Sequence, residues 1–141
     1  MPLQYDHLSA IAAITQAGQL FVQTQEEAFT GADVVRFLQY LVQTLGPRLL
    51  IGWDGATIHK NRTVKAYLAS PEGSGVRLFS WPGYAPELDP TEGVWHYCKH
   101  VELANVTNKT ISELKGRLDE AVKALQRKPE IIQSFFRKAL L

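Results

Sequence analysis

Asp54 and Glu92 are the residues best suited to chemistry. Asp54 comes straight after the apolar run Leu49-Leu50-Ile51-Gly52-Trp53, and Glu92 stands in the stretch from Trp81 to Trp95, which Pro82, Pro86 and Pro90 stiffen. An acid at the carboxyl end of a strand and an acid in the first turn of a helix are both held ionised and fixed in direction, as an oxygen ligand of a divalent cation must be. Each acid also has a purely structural explanation. Asp54-Gly55 is a common turn pair. Asp89, Pro90 and Glu92 have the spacing of a helix N-cap, first position and third position, in which the acids satisfy backbone N–H groups. Glu87, between Pro86 and Pro90, reads as a solvent-exposed loop residue. The residues alone leave both readings open.

The elements that must position these acids follow from periodicity. Leu8–Thr15 and Gln19–Gln25 are short apolar runs on either side of Gln16-Ala17-Gly18, the pattern of a hairpin. Both faces of the first run are apolar, Leu8, Ala10, Ala12 and Ile14 on one and Ile11 and Ala13 on the other, so this strand needs cover on both sides. Thr30 caps a helix with Asp33 three residues on, carrying Val34, Val35, Phe37, Leu38, Leu41, Val42 and Leu45 at helical spacing, and Gly46-Pro47 ends it. Arg48–Trp53 reads as a second buried strand, Ile58–Leu68 as a helix, Val76–Trp81 as a strand, and Asp89 to about Leu103 as a helix. Thr110 with Glu113 opens the next helix, striped by Ile111, Leu114, Leu118, Val122 and Leu125, and Pro129 opens a last one with Ile131, Ile132, Phe135 and Phe136. The order β-β-α-β-α-β-α-α-α predicts an α/β domain with a mixed sheet flanked by helices.

The totals set bounds. A chain of 141 residues with 45% hydrophobic and 21% charged residues is the size and composition of one soluble domain, residues 1–141. Its apolar runs are too short to span a bilayer and its first residues lack a secretory pattern, so no membrane partner and a cytoplasmic location are expected. One cysteine, Cys98, excludes an internal disulfide and zinc-finger spacing, and it reads as a buried helix residue. Net charge is +1, but residues 1–50 carry four acids and two bases while residues 96–141 carry five acids and nine bases. Such a basic end is either the solvated face of a helix or a surface for a polyanion.

Two stretches, "LLIGWDGATIHK" and "WPGYAPELDPTEGVWHYCK", resemble the catalytic domain of the IS630 branch of the IS630/Tc1/mariner transposases. The long proline-rich motif is the specific one, and the likeness runs from about Leu8 through "ELAN" to "SFFRKALL". The resemblance implies a ribonuclease H-like (integrase-like) fold with a DDE or DDD triad, in which Asp54 is the second acid and Glu92 the third. It also implies Mg²⁺ or Mn²⁺ as cofactor and DNA at transposon ends as partner; attraction of the DNA backbone, indifferent to sequence, is expected through Lys60, Arg62, Lys65, Lys99 and the C-terminal bases. Departures are Gly55 and Asp89, each where relatives carry Asn. His59 lies where relatives often carry His, with a phosphate contact and a plain helix-surface role equally open.

In the resembling family the first acid stands on a central strand that precedes the Leu8 strand. This chain begins almost at that second strand, so a truncated catalytic domain lacking the first central strand and its acid is expected. Asp6 aligns with the lead-in to the second strand and does not take over the role. With two carboxylates one of two ion sites is poorly made, so weak or absent cleavage by the chain alone is expected. A missing strand also leaves open edges, for which a homodimer, a strand-exchanged oligomer or a separate N-terminal transposase polypeptide is the remedy. The alternative is a non-catalytic remnant that persists as an oligomerising or nonspecific DNA-binding module.

Overall fold

Gly18 makes the first tight turn. Its φ of +98° lies where any side chain is strained, and a Cβ there would come 2.7 Å from the Cβ of Pro129. The hairpin it closes joins β2 (Leu8–Ile14) to β3 (Leu20–Gln25), antiparallel from Ser9 opposite Gln25 to Ile14 opposite Leu20. The computed structural model describes residues 2–5, 8–53, 61–80, 90–98 and 110–140. These fall into two compact units, Met1–Ala28 with Glu87–Leu141, and Phe29–Pro86.

In the first unit, β1 (Pro2–Tyr5) adds to the other edge of β2, antiparallel, giving the order β1-β2-β3. The sequence reading did not anticipate β1, because four residues opening on proline show no alternation long enough to read. β1 covers the edge of β2 from Leu8 to Ile11. Leu8 to Ala12 are all buried, which is the two-sided cover their composition calls for. Among the described residues the unit also holds the helices α3 (Thr91–Tyr97), α4 (Ile111–Gln126) and α5 (Pro129–Leu140). Thr110 caps α4, its Oγ1 accepting from the Glu113 N–H at 3.0 Å, and the stripe Leu114, Leu118, Ala121, Val122 and Leu125 turns inward. It joins Leu8, Ala10, Ala12, Leu20, Val94, Trp95, Ile132 and Phe135 in one apolar core. Two amides tie the helices to the hairpin: Gln126 Nε2 donates to the Leu20 carbonyl at 2.9 Å and Gln133 Nε2 to the Ala17 carbonyl at 3.1 Å.

The second unit holds α1 (Gly31–Leu45), β4 (Leu49–Trp53), α2 (Arg62–Ala69) and β5 (Val76–Ser80). Thr30 and Asp33 make the predicted reciprocal cap of α1, and Asp33 also pairs with Arg36. Val34, Phe37, Leu38 and Leu41 are its buried stripe. The predicted helix from Ile58 is corrected at its start. Asn61 is extended (φ −63°, ψ 137°) and its Oδ1 accepts from the Thr63 N–H at 2.8 Å, so the helix cannot run through it and α2 begins at Arg62. β4 and β5 pair in parallel from Leu49 opposite Val76 to Trp53 opposite Ser80. Antiparallel and parallel ladders thus both occur, as expected of a mixed α/β fold, but among the described residues they form two sheets, since β1 pairs on one edge only. Nor is β4 buried throughout as anticipated: Leu50 is 75% exposed, while Leu49 and Ile51 are half-buried.

Candidate metal centre

Glu92 lies in the first turn of α3, behind Pro90, whose backbone is already helical (φ −60°, ψ −28°) and whose carbonyl accepts from the Gly93 N–H at 3.1 Å. Pro90 therefore serves as the rigid first residue that its fixed φ favours. The expected N-cap, Asp89, lies outside the described residues. Thr91, Val94, Trp95 and Cys98 recur at helical spacing and are buried, packing α3 on β2 and α5. That stripe leaves Glu92 and His96 exposed on the other side. Glu92 is thus held by a short buried helix and exposed to solvent.

α5 meets α3 at both ends. A Cβ on Gly93 would come 2.7 Å from Cγ and Cδ1 of Phe135, so the ring of Phe135 rests on the backbone beside Glu92. Further along, the rings of Tyr97 and Phe135 are tilted by 58° with centroids 6.4 Å apart. Lys128 Nζ lies 5.6 Å from the Tyr97 ring centre and donates to its hydroxyl at 3.1 Å. The buried Nε1 of Trp95 has no hydrogen-bond partner among the described residues.

β4 ends at Trp53, so Asp54 follows the carboxyl end of a parallel strand, the place where sites gather in α/β sheets. Asp54 itself lies outside the described residues, as do Lys60, Lys99, His59 and Glu87. Arg62 and Lys65 are exposed on α2, opposite buried Val64 and Tyr67, as their spacing predicts. Sequence reasoning missed the Phe135 seat on Gly93, for which the only signal was a glycine in the first turns of a helix.

Carboxylate donors at positions 54 and 92 suit a hard, oxygen-seeking cation such as Mg²⁺ or Mn²⁺, and the exposure of Glu92 leaves room for the water such ions retain. A family model described as "DDE superfamily endonuclease" matches residues 3–115, a span that takes in both acids. The chain belongs to the DDE superfamily endonucleases. Along 73 residues it is 30% identical to the Tc3 transposase of Caenorhabditis elegans, a match covering 51% of this chain and 21% of that protein. In structure it is similar to the Mos1 mariner paired end complex with Mn, with a TM-score of 0.74 and 21% identity over 94% of this chain and 40% of that one. It is also similar to the catalytic domain of Mos1 mariner transposase, with a TM-score of 0.68 and 18% identity over 99% of this chain and 77% of that one. This DDE endonuclease chain therefore has the ribonuclease H-like α/β fold of the mariner catalytic domain. No described helix is long and apolar enough to cross a membrane.

Proposed function

We propose that this chain is the catalytic part of an insertion-sequence transposase of the IS630 branch, cleaving and joining phosphodiester bonds at transposon ends. The observation that carries this reading is the family match across residues 3–115, which holds an acid after the parallel strand β4 and an acid in the first turn of α3. Asp54 and Glu92 are the residues that would hold Mg²⁺ or Mn²⁺, which supplies charge stabilisation to the oxygens of an in-line displacement. Their own role is to bind and orient. Lys60, Arg62, Lys65 and Lys99 attract the DNA backbone without reading its sequence.

The proposed chain binds an ion at these two carboxylates. It works in the cytoplasm with a further polypeptide, a copy of itself or a separate transposase chain. In support, β4 pairs on one edge only among the described residues, and an unpaired edge recruits another strand.

Calorimetric titration with Mn²⁺ tests the assignment. The intact chain is expected to take up the ion, and Asp54→Ala and Glu92→Gln to lose most of that uptake. Absence of uptake by the intact chain would instead mark a non-catalytic module.

A further inference from the structure

We infer that the open edge of β4 is a self-association site, on which β4 of a second copy of this chain pairs antiparallel across a twofold axis at Ile51. This rests on the proposal that the chain works with a further polypeptide, and makes that polypeptide a second copy. Every residue involved lies in the second unit.

The ladder between β4 and β5 decides which backbone groups are left over. The Leu49 N–H donates to the Gly75 carbonyl at 3.1 Å, and the parallel register runs from Leu49 opposite Val76 to Trp53 opposite Ser80. Backbone groups point alternately to the two edges of a strand, so those of Leu49, Ile51 and Trp53 face β5 while the N–H and C=O of Leu50 and Gly52 face the other edge. Among the described residues no strand pairs with that edge. Nor do its side chains guard it. Edge strands are commonly blunted by a charge or a proline; Leu-Leu-Ile-Gly-Trp has neither, whereas β5 carries Arg77.

Spacing selects the occupant. Two copies related by a twofold axis present the same patch to each other, so the strands that meet run antiparallel. With the axis at Ile51, all five residues of β4 lie in register with the same five of the partner. Leu50 then exchanges N–H···O=C bonds with Gly52 of the second copy, and Gly52 with its Leu50. Ile51 falls between them at a non-hydrogen-bonded position, as its amide, turned towards β5, requires. The side chains agree with this register. Leu50, 75% exposed, comes to lie opposite a residue without a side chain, and the two leucines become diagonal neighbours over the two glycines. Arg77, opposite Leu50 in the ladder, stays on the outer strand. The two copies of Arg77 are then three strand spacings apart, about 14 Å, beyond effective repulsion at physiological salt.

Sedimentation equilibrium of the full chain, with circular dichroism to check folding, is run on wild type and Leu50→Pro. Proline at position 50 removes an outward N–H and leaves the bonds to β5 in place, as an edge strand tolerates. Wild type is expected to dimerise, and Leu50→Pro to raise the dimer Kd by about tenfold or more through one lost hydrogen bond per copy. Register is read by mild oxidation of Ile51→Cys. Cβ atoms at a non-hydrogen-bonded pair lie about 4.5–5.5 Å apart, so a covalent dimer should form through position 51. Arg77→Cys, exposed but on the outer strand, should give little under the same oxidant. Wild type, whose Cys98 is buried, is the unlinked control. If Leu50→Pro fails to fold, the Ile51→Cys link carries the test. A wild-type monomer at every concentration, a folded Leu50→Pro that dimerises as tightly as wild type, or equal cross-linking at positions 51 and 77 overturns the inference. Mn²⁺ uptake is measured on the same samples. Uptake by a monomeric wild type overturns the pairing alone, and a dimer that takes up no Mn²⁺ supports the pairing while removing the metal assignment.

Discussion

Tyr67 shows how one side chain carries a cost that the fold tolerates. It is buried on α2 and its hydroxyl has no hydrogen-bond partner among the described residues, a state that costs about 1–3 kcal/mol relative to a satisfied group. Tyr67→Phe should therefore leave the chain at least as stable as wild type, by up to about 1 kcal/mol more, read from the urea midpoint at neutral pH. Burial, and secondarily the nearby Glu72 carboxylate, raises the Tyr67 pKa above its ordinary 10.0. The folded chain thus holds the phenolic proton more tightly than the unfolded chain does. That contribution is complete below pH 10.0 and is lost as pH rises through the elevated native value. Wild type should lose stability more steeply than Tyr67→Phe above that pH, and equal slopes would show that the phenol does not titrate differently on folding.

Among the elements, the caps and turns carry the most local information. The reciprocal Thr30–Asp33 cap satisfies donors at the start of α1. Thr30→Ala should cost about 1 kcal/mol in denaturant unfolding, and a loss within error of zero would mean water replaces the cap. Gly18→Ala should cost more, because it meets both a positive φ and Pro129. That the second effect joins the β2–β3 turn to α5 is something only the packing shows. The caps at Thr30 and Thr110, the hairpin at Gly18 and the helix start at Pro129 were all legible in sequence, since each depends on residues within a turn of one another. The start of α2 was misread because the apolar Ile58 continued the helical spacing past Asn61, whose extended backbone stops it. β1 was not read at all, because its pairing with β2 and not its own pattern makes it a strand.

At the scale of the whole molecule, the proposed DNA contacts are electrostatic and so depend on salt. Affinity for a nonspecific duplex should fall linearly on a log–log plot against salt. The double variant Arg62→Ala, Lys65→Ala should reduce the slope by about 1 for each phosphate that the two basic side chains neutralise in the wild type. An unchanged slope would remove α2 from the interface. Sedimentation should show an oligomer at micromolar concentrations, with Leu50→Lys shifting it towards monomer by placing a charge on the β4 face. A monomer at every concentration would oppose self-association.

Sequence by itself determined the family, the α/β class, the inward stripe of each long helix and the two acids worth testing, because these rest on local periodicity and on one long proline-rich motif around Glu92. Tertiary structure decided what periodicity cannot encode: that β4 pairs in parallel with β5, that Gly18 meets Pro129, and that Phe135 sits on Gly93. Each of these is a contact between residues far apart in the chain, and such contacts are chosen by which surfaces can be buried together.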